Sequence, residues 1–442
     1  MNVLEEIIKD SVVSTPASNE PIFDSTFDYQ KAIEDRNRAM NEWRNMPSTD
    51  KSLFQDQYAF EKSKNLPNLK SPDIQTAKNY HLLRKEATER INKIDLFTAI
   101  PVDILDFENS ILELAESMEN TPSIRDLYKL RKLTTGDSKN AGISTDEATR
   151  LKNCMMQGRE LYLAGTRGSL MVKPLNFFYA LTAYTYVIIV LNNPIRYNKG
   201  NIPGSHGMSY LPDTIEAQFG GDSARGTFSD LFTAFPTHLV KTNAIEFSID
   251  CTNSIIEFYK TRFSVGLGTL LSMVPEMSDY YKLTTGRNSR CHPLDIRSAN
   301  DPRQLTWEFL IGDGEKKPDM KGIEDSFRDF SHTERHGQIV ITVPASKAPD
   351  IKACIYTDIR GKLWYVENPF FPIIPPEIAI HFLVTSIFSN IMRYRPDEWG
   401  SVLFNNVSPN ISLITRHYFS SFERKFFLVV LRAISKYIPY AI

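Results

Sequence analysis

The sequence predicts a mainly α protein: a helical bundle with a small antiparallel β insert near residues 305–367. Three observations predict it. Apolar residues recur at helical spacing through much of residues 71–300 and again in 368–442. The segment Phe177 to Leu191 is apolar on nearly every side, as a helix at the centre of a bundle is. Between about 300 and 366 the apolar period changes to two, the period of half-buried strands. The chain then divides into an N-terminal helical extension and linker (1–70), a helical core (71–300), a β subdomain (301–367) and C-terminal helices packed on the core (368–442).

In order, Val3 to Ile7 is a short amphipathic piece, followed by the Pro-containing linker SVVSTPASNEP. Residues 27–45 form a charged helix with one stripe of Tyr29, Ile33, Met40 and Trp43, and a second helix covers Ser52 to Lys64. Asp73 to Ile91 has apolar residues at helical spacing, and so does DILDFENSILELAESM after Pro101. Ser144 before Thr145, Asp146 and Glu147 is a helix N-cap signature, opening a helix to about Gly165. Pro174 stands at the start of the next helix, where a missing N–H costs least. Residues 192–235 are rich in Gly, Pro and Asn and predict a long loop, with helix returning over 238–283. TWEFLIG, GQIVITV, IKACIYTD and KLWYVEN are strands, the last two joined by a turn at Ile359, Arg360 and Gly361. Ile378 to Arg393 is a buried helix and Ser412 to Tyr437 a long amphipathic one.

Composition narrows the function classes. The chain has 442 residues, 42% hydrophobic and 24% charged, which suits a folded core and excludes a largely disordered chain. Lys plus Arg is 51 against 53 Asp plus Glu, a net charge of -2, so no global field attracts nucleic acid or anionic membrane. Cys154, Cys251, Cys291 and Cys354 have neither metal-ligand nor redox-motif spacing. The N-terminus is not a secretory signal, and the longest apolar run is 15 residues, shorter than a membrane span of about 20. A cytoplasmic protein with no membrane partner, metal or cofactor is expected. His332 and His336 lack a supporting ligand set, GGDSARG lacks the Walker lysine, and there is no G-x-S-x-G elbow.

Four elements, in order, carry a resemblance. They are QGRELYLAGTRGSLMVKPLNFFYALTAYTYVIIVLNNP (157–194), GSHGMS (204–209), LLSMVPEM (270–277) and SIFSNIMRYRPDEWGSVL (386–403). Together they resemble the YaaC-like protein family of bacteria, over roughly residues 150–437. The resemblance implies a mainly helical protein of unsettled activity. The family's helical part is in turn similar to HEPN bundles, which occur in toxins, ribonucleases and phage-defence proteins; that link is one of fold alone.

Three constellations could carry chemistry. Arg287, Asn288 and His292 spell R-N-x-x-x-H, the pattern with which HEPN ribonucleases hold a scissile phosphate and move a proton. Gly286 before it and Pro293 after it place it in a loop rather than on the helix that the chemistry needs. Arg196, Tyr197, Lys199, Ser205, His206 and Gly207 form a basic, Gly-containing loop after the most buried helix. His206 there is either a general acid/base or a loop-fixing donor, with Gly207 in a left-handed conformation. Arg393, Tyr394, Arg395, Asp397, Glu398 and Trp399 follow another buried helix, with Arg393 and Glu398 as a candidate ion pair and Trp399 as core filling. The loop and this element are expected to pack together as the main polar pocket. The leading expectation is a non-enzymatic component that binds a macromolecule, a protein first, with a role in bacterial antiviral defence implied by the resemblance only. The alternative is a metal-independent ribonuclease or nucleic-acid-directed toxin; self-association is open in both.

Overall fold

The structure is a computed structural model that describes residues 8–16, 98–134 except 103, 142–192 and most of 205–441. Outside the described residues are 1–7, 17–97, 135–141, 193–204 and the short stretches 222–225, 235–236, 242–245, 251–257, 259, 300–305, 405, 407, 435–436 and 442. Residues 1–17 and 81–442 make one compact unit; the second, 18–80, lies wholly outside the described residues. So do the expected helices at 3–7, 27–45, 52–64 and 73–91.

Strands β1 (Val12–Pro16) and β2 (Thr98–Val102) precede four helices: α1 (Phe107–Ser117), α2 (Thr121–Thr134), α3 (Thr145–Arg167) and α4 (Lys173–Asn192). Then come β3 (Met208–Leu211), β4 (Glu216–Gly220), α5 (Thr227–Thr233), β5 (Thr237–Lys241), β6 (Glu246–Asp250), β7 (Thr261–Gly266), α6 (Leu267–Ser272) and α7 (Ser278–Thr285). The next group is β8 (Cys291–Ala299), β9 (Thr306–Ile311), α8 (Met320–Ser326), β10 (Ser331–Arg335), β11 (Gln338–Pro344), β12 (Cys354–Thr357) and β13 (Leu363–Val366). The chain closes with α9 (Glu377–Tyr394), α10 (Pro396–Leu403), α11 (Pro409–Ile434) and β14 (Tyr437–Ala441).

The fold is therefore a mixed α/β fold, which corrects the expected mainly α, HEPN-like bundle. One sheet has four strands in the order β1-β7-β4-β3, and a second has six in the order β10-β11-β9-β8-β13-β12; every pairing described in them is antiparallel. The six-stranded sheet begins at Cys291, so it is larger than the insert read from 305–367. The four-stranded sheet falls where loop and helix were expected. Its strands are short, and Gly- and Pro-rich neighbours obscure their alternation. Even so, EAQFG turns Ala217 and Phe219 inward, and TRFSVG turns Phe263 and Val265 inward. The hairpin β5–β6 likewise replaces the helix expected from 238.

The helical expectations rest on firmer local chemistry. Ser144 and Glu147 form a full capping box at the start of α3: the Glu147 N–H donates to the serine hydroxyl at 3.2 Å, and the Ser144 N–H donates to the glutamate at 3.2 Å. Helix α4 is 20 residues long, enough by length and composition to cross a membrane, but 78% of its most apolar window is buried inside the fold. Val187 and Ile188 are wholly buried. Two glycines of α3 set its distance from α4. A Cβ on Gly158 would stand 2.6 Å from the Tyr184 ring, and one on Gly165 would stand 2.6 Å from the Phe177 ring. These aromatics then meet Tyr162, Phe422, Phe426 and Phe427 in one ring cluster.

A buried ion cluster ties the helices to the sheets. Lys425, in the middle of α11, is 1% exposed, and its ammonium lies 2.7 Å from Glu276 and also bonds Glu377. Glu276 sits in the 3-10 turn before α7 and also accepts the Ile359 N–H of the β12–β13 turn at 3.0 Å. Glu377 is the first residue of α9. Burial opposes the Lys425 charge, but the two carboxylates outweigh burial and hold its pKa above the usual lysine range. Burial raises Glu377, and Lys425 pulls it back in part. Lys425→Met leaves two buried carboxylates without their counter-charge and should cost about 3–5 kcal/mol in urea melts. Adding Glu276→Gln and Glu377→Gln to that variant should recover most of the loss.

Candidate binding surface

The loop ending at Gly207 is fixed by its backbone. The Ser205 carbonyl accepts the Thr227 N–H at 3.0 Å, and the His206 carbonyl accepts the Phe228 N–H at 2.8 Å. These carbonyls take the first amides of α5, which helix geometry leaves free. Gly207 has φ +70°, the left-handed conformation expected of it. Gly226 lies so close that a Cβ there would meet the Gly207 backbone at 2.6 Å. His206 is partly exposed, with one side of its ring covered, and stands edge-on to Phe178 of α4 with centroids 5.4 Å apart. Phe178 in turn meets Phe382 of α9, three turns before Arg393.

Burial, then the Arg393 charge, hold the His206 pKa below the ordinary histidine range. Tyr210 of β3 stands close to the next turn of chain: burial pushes its phenol up to about 12, Arg395 opposing the shift and Glu398 adding to it. Arg393 is thus within electrostatic range of His206, and Arg395 and Glu398 are within range of Tyr210. Arg196, Tyr197 and Lys199 lie outside the described residues.

Within that element the partners differ from the expected ones. Arg393 donates to the Ser389 carbonyl and to Asn390, both at 3.3 Å, and lies 5.1 Å from the centroid of Tyr394. Glu398 pairs with Arg395 at 3.1 Å rather than with Arg393. The reason is helical spacing: Pro396 opens α10, and residues 395 and 398 then stand one turn apart on one face. Trp399 is fully buried, packs on Phe388 and Phe419, and donates its indole N–H to the Met171 carbonyl at 3.1 Å. Tyr394 remains 69% exposed.

The R-N-x-x-x-H residues do not converge. Arg287 and Asn288 are exposed in the turn after Gly286, whose φ is +69°. His292 is 1% exposed and lies on strand β8, not in a loop, opposite Tyr365. Its Nε2 lies 2.7 Å from Glu367. Glu367 also accepts the Asp319 N–H at 3.0 Å. Burial pushes Glu367 up, but His292, that N–H and Lys316 together outweigh it and hold the carboxyl below its usual range. His332 is exposed on β10 and His336 in the turn after it, and no cluster of three potential metal ligands occurs among the described residues.

Residues missed by sequence reasoning include Tyr210 and the ion cluster of Glu276, Glu377 and Lys425. The cluster had a signal: two Pro-Glu pairs, Pro275-Glu276 and Pro376-Glu377, and a lysine inside the apolar run RKFFLVV.

Two outcomes test this geometry. Arg393→Gln removes one cause of the His206 shift, so the ring should titrate closer to the ordinary histidine value of about 6.5, read by NMR. Because the unfolded chain takes its proton first, His206 contributes stability above that value and loses it as pH falls toward the folded pKa. His292→Ala should lower stability by about 1–3 kcal/mol by stripping a partner from Glu367. The loss should appear above the ordinary carboxyl pKa and fade as acid protonates Glu367 in the folded protein.

No curated protein and no solved structure matches the chain. The model of the family described as YaaC-like protein matches residues 115–434, from within α1 to the end of α11, and takes in both halves of the surface described above. The chain belongs to the YaaC-like protein family.

Proposed function

We propose that this protein is a binding component, and that it engages a protein partner through the surface of His206, Arg393, Tyr394 and Arg395. The observation that carries the reading is Tyr394: a large aromatic side chain, 69% exposed at the end of a buried helix and in contact with an arginine. Tyrosine and arginine are the residues that dominate the energy of protein interfaces, because each offers a large contact area and a polar tip. The rigid base is in place, since Trp399 and Phe178 anchor both halves in the core.

Charge favours protein over nucleic acid. Arg393 and Arg395 are matched along the chain by Asp397 and Glu398, and the whole chain carries -2. A phosphate-backbone site needs a cationic excess, because neutralised phosphates supply its affinity. The ribonuclease reading has less support, with Arg287 exposed and His292 buried against Glu367.

The test is affinity capture with the full-length protein, analysed by mass spectrometry and by sequencing of co-purified nucleic acid. A protein should be recovered that Tyr394→Ala and Arg393→Ala each reduce by at least tenfold, with unchanged melting. Recovery of nucleic acid instead, or of a partner indifferent to both variants, would reject the reading. Wild type and His292→Ala should be equally inactive against RNA.

A further inference from the structure

The four-stranded sheet ends in a strand that the rest of the unit is shaped to receive. Residues 8–16 lie along the edge of β7, with Val12 opposite Val265 and Pro16 opposite Thr261. Two glycines at the end of β7 and the start of α6 make room for the approach. A Cβ on Gly268 would fall 2.6 Å from the Ile8 carbonyl carbon, and one on Gly266 would collide with the Ser11 hydroxyl. A side chain at Gly268 would run into the backbone of residues 8 and 9 and push the strand out, whereas one at Gly266 would displace the Ser11 hydroxyl.

The groove also reads side chains. Arg290 donates to both oxygens of Asp10 at 3.2 Å, and the Thr269 hydroxyl bonds the same carboxylate. Thr269 accepts the Ser11 N–H at 2.9 Å, the Gly266 N–H donates to the Ser11 carbonyl at 2.9 Å, and the Ser11 hydroxyl donates to Glu216 at 2.8 Å. Beyond Ser11 recognition is mostly by backbone, for Val13, Ser14 and Thr15 are exposed. Backbone pairing along β7 together with side-chain contacts at Asp10 and Ser11 is the arrangement of a strand-addition site. The groove residues lie inside the span matched to the family, whereas the strand that fills it lies outside that span.

We propose that the β7 edge is a strand-binding groove, filled in this structure by the chain's own residues 8–16. When these withdraw, it takes an extended protein segment that presents a carboxylate, a small hydroxyl residue and then a β-branched residue. This surface is separate from that of His206 and Arg393. The cis strand acts as a built-in competitor, present at the high effective concentration that a tether gives.

The experiment uses the full chain and a fluorescent peptide of residues 5–17, EEIIKDSVVSTPA. Wild type should bind it at least tenfold more weakly than a full-length variant whose own strand is expelled by Asp10→Lys and Ser11→Pro. Adding Gly268→Val to that variant, or placing lysine at the peptide's Asp10 position, should cut binding at least tenfold. A folded Asp10→Lys, Ser11→Pro protein that binds no peptide would overturn the proposal. Hydrogen exchange on wild type decides the matter if that variant fails to fold. Amides of β1 should exchange at least tenfold faster than those of the β4–β7 ladder, and exchange of both at one global rate would overturn the proposal.

Discussion

A single buried cation holds the architecture together. The Lys425 ammonium can be kept inside the protein only if both carboxylates reach it, since an unpaired buried charge is far more costly than a missing apolar contact. Glu276 comes from the turn between α6 and α7, and Glu377 from the start of α9. Three separate stretches of chain must therefore arrive together before α11 can bury its lysine. Through the Ile359 N–H, Glu276 draws in the β12–β13 turn as well. Arg432, two turns along α11, also feels Glu377, Glu276 and Asp358, although burial lowers its pKa. Apolar packing would tolerate small shifts between layers; this cluster fixes them.

That constraint clarifies what could be read from the sequence. Local chemistry was legible where it is self-contained. Ser144 and Glu147 satisfy each other within four residues, and Phe177 to Leu191 needs no partner to show that it is buried. The turn at Gly361, φ +79°, was readable for the same reason. What escaped depends on residues distant in the chain. Strand β10 has all five residues exposed, so no apolar alternation marks it and only its pairing with β11 makes it a strand. The four-stranded sheet is assembled from segments near residues 12, 210, 218 and 263, each too short to signal alone.

The surface shows the same split. Gly207 in its left-handed conformation follows from the chain leaving a buried helix through a tight turn. The pairing of Glu398 did not follow, because it depends on where Pro396 restarts the helix. Nor did the role of His292. Three fixed letters suggested chemistry, but strand register set the ring beside Glu367 inside the fold. Motif and site part company here because burial, not spacing, decides what an imidazole can reach.

The strand order of the larger sheet also bears on how the chain reaches this state. β8 with β9, β10 with β11, and β12 with β13 are each pairs of successive strands, and β9 joins β11 across one short helix and strand β10. Only β8 with β13 closes a long stretch of chain, bringing Cys291 to Val366. Closing that loop costs chain entropy before any contact repays it. The sheet is thus two pieces, each built from segments near one another in the chain, joined along one seam. His292 stands on that seam and Glu367 one residue past it, so their contact ties the two pieces together where the chain closes its longest loop within the sheet.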